Sequence, residues 1–296
     1  MIDNIKFNIL NKDEFEKNLE KKGLINVKST YNVITGEANE YPKTGKYHNL
    51  EVRVTPLSAT IKGSLHKYFN IISGEGNQNY DDFSYAQFQF ALNHLCETLS
   101  IDKEETKITN LEFGFNIEIK QSPKSIIDNQ VLMYDYLDHN KNHNYRGKGS
   151  YKEFVKTDYS IKIYDKSKQY RISHKNILRI ELKMINSRYI QRMGIFNLNQ
   201  LGKGAFKALF NVFLSHFNKL MIIDSLDAPQ GIRIDQIVLF QGCTSPNYWS
   251  NLCTKEKTEP KKEFKKLIEK NNHNKTQTLL RNRIIEKYKL LINENS

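Results

Sequence analysis

A strictly alternating segment at residues 108–120, ITNLEFGFNIEIK, places the strongest constraint on the fold. Every second position from 111 to 119 is apolar, and the positions between them carry Glu112, Gly114, Asn116 and Glu118. Neighbouring residues of a β-strand point to opposite faces of a sheet, so this strand has one apolar and one polar face. The segment therefore predicts a long strand in a sheet whose apolar side packs against other elements.

Residues 158–183 contain two further alternating runs, SIKIYD and ILRIELK. Apolar residues take one face of each run, which leaves polar side chains on the other face. If both strands neighbour the strand at 108–120 in one antiparallel sheet, the polar side of that sheet gathers acids, cations and a tyrosine. The polar positions are Glu112, Asn116, Glu118, Lys162, Tyr164, Arg179, Glu181 and Lys183.

The rest of the chain mixes strand and helix signals. The expected elements are a strand pair at about 50–65, helices at about 84–100 and 124–137, a helical block from 197, a short strand at 236–242 and two basic helices from 259. This order predicts an α+β fold. We expect a large, mostly antiparallel, curved sheet with helices packed on one face, plus a C-terminal helical extension.

The chain carries a large excess of positive charge. Its 296 residues include 45 Lys and Arg against 33 Asp and Glu, a formal net charge of +12. Such a surface attracts polyanions and releases their counterions, which favours nucleic acid as the partner. The alternative is compositional, because Lys-rich and Asn-rich chains from AT-rich genomes are basic without binding nucleic acid.

Cysteine usage and hydropathy indicate a cytoplasmic protein. The three cysteines, Cys96, Cys243 and Cys253, form no CxxC pair, so neither a disulfide framework nor a thiolate zinc site is indicated. The N-terminus lacks the apolar segment of a signal peptide, and no run reaches the ~18 apolar residues that a membrane span needs. We expect reduced thiols and no membrane insertion.

The polar sheet face permits two interpretations. Carboxylates bind a hard divalent cation, Lys and Arg hold phosphate, and a phenol oxygen can attack phosphorus, so the set suits phosphodiester chemistry. The other interpretation is an ordinary solvent face on which Arg179 and Glu181 form a polar pair, worth about 0.2–1 kcal/mol. The spacing of the residues does not decide between these interpretations.

Five sequence blocks, in order, resemble rolling-circle replication initiators of the plasmid replication initiation factor family and of filamentous-phage gene II and X proteins. SIKIYDKSKQ and NILRIELKM resemble the paired Lys-x-Tyr-Asp-Lys and Arg-x-Glu blocks. IKGSLHKYFN, NLEFGFNIEI and YRGKGS resemble an upstream Gly-Ser-Leu segment, the first acidic strand and a Tyr-x-Gly-x-x-Ser element. The blocks span roughly residues 60–185. No His-hydrophobic-His motif is present, so the resemblance is to the acid-and-tyrosine version.

The resemblance implies a metal-dependent nickase. A tyrosine attacks one strand of origin DNA, stays joined to its 5′ end and leaves a 3′ hydroxyl for a polymerase; a second transfer recloses the circle. The nucleophile is Tyr164 or Tyr145, and Lys162, Lys166 and Arg179 stabilise the phosphate. The metal ligands for Mg²⁺ or Mn²⁺ are Glu112 and Glu181, with Asn116 or Asp165 completing the site.

We also expect particular partners and a division of the chain into two parts. Origin DNA, single-stranded or in a cruciform, is the expected substrate, with host helicase and polymerase as candidate partners and a homodimer as a candidate assembly. Residues 1–245 form the expected nicking and joining domain, and residues 246–296 form a basic helical extension that helps to bind DNA. The alternative function is a non-catalytic, sequence-specific DNA-binding protein acting at an origin or operator.

Overall fold

The computed structural model describes residues 1–141, 145 and 149–294. Three residues of the Tyr-x-Gly-x-x-Ser element, Arg146, Gly147 and Lys148, lie outside the described residues. Across the described part of the chain, no helix combines the length and apolar character that crossing a membrane requires.

Ten strands are present among the described residues. They are β1 (Ile2–Ile9), β2 (Lys43–Tyr47), β3 (Leu50–Val54), β4 (Ala59–Ser64), β5 (Thr106–Glu118), β6 (Val131–Tyr134), β7 (Tyr151–Val155), β8 (Tyr159–Asp165), β9 (Ile177–Met184) and β10 (Leu220–Ile222). Eight of them form one antiparallel sheet in the order β2-β3-β4-β1-β5-β9-β8-β7, and β6 pairs with β10 separately. The α+β fold predicted from the sequence is confirmed.

Eleven α-helical segments accompany the strands in the part of the chain that the structure describes. They are α1 (Lys12–Lys22), α2 (Leu65–Ile72), α3 (Tyr85–Leu99), α4 (Pro123–Ser125), α5 (Lys166–Tyr170), α6 (Ser187–Gln191), α7 (Lys203–Phe217), α8 (Ile234–Cys243), α9 (Pro246–Asn251), α10 (Thr258–Lys270) and α11 (Lys275–Asn293). A π-helical turn lies at Ile126–Gln130, and a 3₁₀ turn lies at Leu198–Gln200.

The chain divides into two compact units. Of the described residues, unit 1 takes those of Met1–Gly114, Leu182–Asn211 and Tyr288–Ser296, and unit 2 takes those of Phe115–Glu181 and Val212–Lys287. The boundary does not follow the division at residue 245 expected from the sequence, and that functional division stays a prediction.

Unit 1 is built around β1, which pairs with β4 on one side and with β5 on the other. Its helix α3 starts as the sequence predicts, because the Ser84 side chain accepts the Gln87 N–H and Gln87 caps the Ser84 N–H in return. Phe206 of α7 packs edge-on against Phe88 and Phe113, with ring centroids 5.0 and 6.2 Å away. These contacts cover the apolar face of β5 that the alternation predicts.

Unit 2 contains a second hydrophobic core that includes the beginning of the expected C-terminal extension. Trp249 of α9 is fully buried and donates its indole N–H to the Cys243 carbonyl at 2.8 Å. Phe240 of α8 and Phe264 of α10 pack in the same core, with ring centroids 5.8 Å apart. Helices α9 and α10 therefore share their core with residues before position 245.

Two predicted elements are wrong. The apolar run at 236–242 forms part of helix α8 and not a strand, because short apolar runs fit either structure and here Phe240 and Cys243 are buried one helical turn apart. The helix predicted at 124–137 ends at Gln130. After that residue the chain becomes β6, whose Met133 pairs with Met221 of β10.

A buried carboxylate in unit 1 is held by two lysines and a tyrosine. The Glu16 carboxylate lies 2.8 Å from Lys12 Nζ and 2.7 Å from Lys43 Nζ, and it accepts the Tyr41 hydroxyl at 2.9 Å. Burial alone would raise the pKa of Glu16, but the hydrogen bonds from Lys12, Lys43 and Tyr41 lower it to about 2.

This network predicts acid sensitivity of unit 1. A carboxylate with a depressed pKa in the folded state contributes stability above its ordinary pKa of 4.5, and the contribution is lost as the pH falls toward 2. Glu16→Gln should therefore lower the free energy of unfolding at pH 7 by about 1–3 kcal/mol. In this variant, the free energy of unfolding should also decrease less as the pH falls from 4.5 to 2. Urea unfolding from pH 2 to 7 measures both effects.

The matched control is Glu20→Gln, because the Glu20 carboxylate also contacts Lys43, at 3.0 Å, but is 66% exposed. That change should cost less than about 1 kcal/mol. Equal losses in the two variants would contradict the account.

Candidate active site

Polar residues of four neighbouring strands meet in unit 2. The sheet order places the end of β5 beside β9, β9 beside β8 and β8 beside β7, which confirms that the predicted strands are neighbours. The face is not open to solvent, because Arg179, Glu181 and Tyr164 are only 2%, 3% and 4% exposed. An ordinary solvent face is therefore the wrong interpretation for these three residues.

The carboxylate of Glu181 is the centre of this cluster. Its Oε1 lies 3.1 Å from Lys162 Nζ. Its Oε2 accepts from Arg179 Nε at 3.1 Å and from the Tyr164 hydroxyl at 3.3 Å. Arg179 also donates through Nη1 to Asn116 Oδ1 at 3.2 Å. One carboxylate thus fixes a lysine and a tyrosine of β8 and an arginine of β9, two adjacent strands.

Lys166 brings a further cation to the same phenol. It is the first residue of α5 and is almost fully buried, with Nζ 3.5 Å from the Tyr164 hydroxyl. The ammonium also lies over the rings of Tyr164 and Tyr170, at 5.4 and 5.2 Å from their centroids. The residue before it, Asp165, caps α5 by accepting the Lys168 N–H at 2.8 Å.

Two more tyrosines border the cluster, and both are partly exposed. The ring of Tyr145 stacks on that of Tyr151, with centroids 3.7 Å apart and an interplanar angle of 13°. Both rings also lie near Tyr164, at 5.6 and 6.2 Å. The Tyr151 hydroxyl donates to Glu153 at 2.6 Å. The accessible side of the cluster therefore presents phenols, while the buried side presents charge.

The four predicted metal ligands have different surroundings. Glu112 lies in unit 1, where its carboxylate is 3.5 Å from Lys183 Nζ. Asn116 and Glu181 accept hydrogen bonds within the cluster, and Asp165 caps α5. Among the described residues, no group of three or more His, Cys, Asp or Glu side chains could hold a metal ion. Metal binding by these residues stays a prediction.

The five predicted catalytic residues all lie in unit 2, and the described contacts join them. Tyr164, Lys162, Lys166 and Arg179 surround Glu181 directly or through Tyr164, and Tyr145 lies beside Tyr164. Sequence reasoning missed the Tyr151–Glu153 pair. Their spacing was a signal, because residues two apart on a strand share a face. The strand itself was not recognised, because YKEFV lacks a clean alternation.

Comparison with known proteins gives a structural similarity. No protein-family model and no curated protein matches the sequence. Among solved structures, the chain is similar to a rolling circle replication initiator protein from Geobacillus stearothermophilus, with 11% sequence identity and a TM-score of 0.42. The similarity covers 83% of this chain and 96% of that chain.

The buried ion pairs predict a large effect of removing one partner. Arg179→Ala leaves the carboxylate of Glu181 buried without its arginine, which should lower the free energy of unfolding by about 3–5 kcal/mol. Chemical denaturation of the purified variant measures the change.

The control is Lys175→Ala, because Lys175 pairs with Glu118 at 3.7 Å with both side chains about half exposed or more. That variant should lose less than about 1 kcal/mol. A loss below 1 kcal/mol for Arg179→Ala as well would show that the cluster is not tightly held.

Proposed function

We propose that the protein nicks and rejoins one strand of origin DNA through a phosphotyrosine intermediate. The observation that carries the proposal is the buried charge cluster bordered by partly exposed tyrosines. Three cations, Lys162, Lys166 and Arg179, lie at the carboxylate of Glu181 or at the phenol that it holds. Cations that are fixed in position where water is excluded interact strongly with an anion, so such a cluster is typical of sites that bind phosphate.

A phosphodiester is the ligand that suits these residues. Arg and Lys are the side chains that hold phosphate oxygens, and they act most strongly where water is excluded. Hydrogen bonds hold these side chains in place: Arg179 donates to Glu181 and Asn116, and Lys162 donates to Glu181. Charge that develops on phosphorus-bound oxygen would then meet cations that need no reorganisation.

The exposure of the phenols favours Tyr145 as the nucleophile over Tyr164. Tyr164 is 4% exposed, and its hydroxyl is engaged with Glu181 and Lys166. Tyr145 is partly exposed and stacks at the border of the cluster, where a DNA strand can approach. It also belongs to the Tyr-x-Gly element of the resemblance. Tyr164 then acts as a positioning residue that helps to orient Glu181.

The proposed reaction is a transesterification. Oη of Tyr145 attacks the scissile phosphorus, a Tyr145 O–P bond forms, and the bond from phosphorus to the 3′ oxygen breaks. The phenol proton leaves to solvent and the 3′ oxygen takes up a proton, so one phosphodiester replaces another. Arg179, Lys162 and Lys166 stabilise the negative charge in the transition state.

The residues present do not fit a divalent metal in their described arrangement. Both carboxylate oxygens of Glu181 contact cations, and the side-chain oxygen Oδ1 of Asn116 accepts a hydrogen bond from Arg179. A divalent metal would have to coordinate these same oxygen atoms. Mg²⁺ or Mn²⁺ remains an expectation of the resemblance, and no step of the reaction is assigned to it.

The C-terminal helices are proposed to add affinity for the DNA backbone. Helix α10 exposes Lys262, Lys265 and Lys266, whose side chains are 61%, 76% and 62% exposed. Each has a glutamate of the same helix within 3.9 Å, so the local charge is partly balanced. The net charge of +12 favours DNA over the whole surface. A non-catalytic DNA-binding protein would need the same charge but no phenol at the cluster.

A covalent-adduct assay tests the proposal. Labelled single-stranded oligonucleotides that tile the DNA encoding the protein are incubated with it, in Mg²⁺ or Mn²⁺, and resolved under denaturing conditions. The protein should acquire a label that resists denaturant, and Tyr145→Phe should abolish it. Tyr164→Phe should reduce the rate about 10–100-fold, because it loosens Glu181 without removing the nucleophile.

Tyr159→Phe is the matched control. Tyr159 is five residues from Tyr164 on β8, so it points to the opposite face, where its hydroxyl meets that of Tyr134 at 3.0 Å. Its adduct yield should equal that of the unmodified protein. An adduct kept in Tyr145→Phe and lost in Tyr164→Phe would reverse the assignment, and DNA binding without any adduct would support the non-catalytic alternative.

A further inference from the structure

A cavity of about 570 Å³ lies in unit 2, and none of the residues that line it belongs to the cluster around Glu181. Its lining comes from β10 and the residues just before that strand, from α10 and α11, and from the turn after β6. Proteins bind small molecules in cavities of about 300–1,000 Å³. The cavity is therefore large enough to hold a small ligand.

The lining of this cavity combines an apolar wall with hydrogen-bonding side chains. Leu220 and Phe264 of the wall are 2% and 1% exposed, and Met221 and Ile268 are partly buried. Amide side chains offer both donors and acceptors, as the edge of a nucleobase requires. The lining includes the amide and hydroxyl side chains of Asn218, Asn274, Gln277 and Thr278.

The amide of Gln277 is oriented beside the apolar wall. Its Nε2 donates to the Leu220 carbonyl at 2.7 Å. A carboxamide has two N–H donors and one acceptor oxygen, so this bond leaves one N–H and Oε1 for a ligand. A flat ring placed against the wall would meet a donor and an acceptor at its edge.

Arg281 is placed to bind a phosphate. Its Nε donates to Asn218 Oδ1 at 3.3 Å, which orients the guanidinium and leaves both terminal nitrogens for a ligand. These nitrogens form the fork that binds phosphate oxygens. Lys219 adds a second cation to the lining, and neither Lys219 nor Arg281 forms an ion pair with a described residue. Lys265 differs, because it lies 3.9 Å from Glu269.

We propose that this cavity binds a nucleotide, with the base against the apolar wall and the phosphate at Arg281 and Lys219. Phosphate alone would leave the apolar wall unused, and a purely apolar ligand would leave the two cations unused. The nucleotide is either free or one nucleotide of a DNA strand, because base and phosphate chemistry is the same in both. This site goes beyond the proposed function, since it needs neither a nick nor a phosphotyrosine.

Isothermal titration calorimetry of the full chain tests the site. The probes are the four deoxynucleoside 5′-monophosphates and the matching nucleosides, each titrated separately. At least one monophosphate should bind, about ten-fold more tightly than its nucleoside, because a hydrogen bond to a charged group is worth about 1.5–3 kcal/mol. Arg281→Ala should abolish this difference and leave the affinity for the nucleoside unchanged.

Two further variants separate the cavity from general attraction to a basic surface. Arg283→Ala removes the same charge from the same helix, but Arg283 contacts the Glu118 carbonyl and does not line the cavity. It should bind nucleotides as the unmodified protein does. Thr278→Trp fills the cavity with an indole at an exposed position, so it should fold normally, as thermal melting checks, and bind no monophosphate.

Short oligonucleotides of a single base distinguish the two sources of the ligand. A monophosphate that binds more tightly than any oligonucleotide identifies a free nucleotide. An oligonucleotide that binds more tightly, and loses this advantage in Thr278→Trp, identifies one nucleotide of a strand. The inference would be overturned if no monophosphate binds, if inorganic phosphate displaces the monophosphates as well as they displace one another, or if Arg283→Ala loses as much affinity as Arg281→Ala. Each of these results leaves the proposed function standing.

Discussion

The candidate site depends on the ion pairs and the hydrogen bond that the carboxylate of Glu181 makes. It is 3% exposed and binds Lys162 and Arg179 while accepting the hydroxyl of Tyr164. A buried ion pair of this kind is weak evidence for stability, since desolvation consumes most of the attraction. Its consequence is geometric. Three side chains that would otherwise sample many rotamers are fixed on one face, and the cations among them are oriented before a phosphate arrives.

The fold supplies this geometry through the order of its strands. Placing β5, β9, β8 and β7 side by side brings residues from positions 116 to 181 onto one surface, although they are far apart in sequence. Phe115 of β5 packs against Phe213 of α7 with ring centroids 5.2 Å apart, so the apolar face of this strand is covered within unit 2. The remaining face is free to carry chemistry, and a sheet is a more rigid support for it than a loop.

Much of this arrangement is predictable from the sequence, because it follows from a period of two. The alternation at 108–120 and 158–183 placed Arg179, Glu181, Lys162 and Tyr164 on one face, and the structure brings them together. Alternation shows which residues share a face but not whether that face is buried. The burial of Arg179, Glu181 and Tyr164 was therefore not predictable from the sequence pattern. The Tyr151–Glu153 pair was missed because both residues lie on β7, whose short sequence YKEFV lacks the clean alternation that identifies a shared face. The run at 236–242 was misassigned because its length fits either a strand or a helix.

The central claim is that a phenol at this cluster bonds covalently to DNA. The most direct measurement uses a single-stranded oligonucleotide whose scissile 3′ oxygen is replaced by sulfur, because the released thiolate re-attacks phosphorus poorly and the adduct accumulates. Mass spectrometry of the tryptic digest should then place the DNA on the peptide ending at Arg146, which contains Tyr145. DNA that is bound tightly but recovered intact, with every tyrosine-containing peptide at its unmodified mass, would contradict the account.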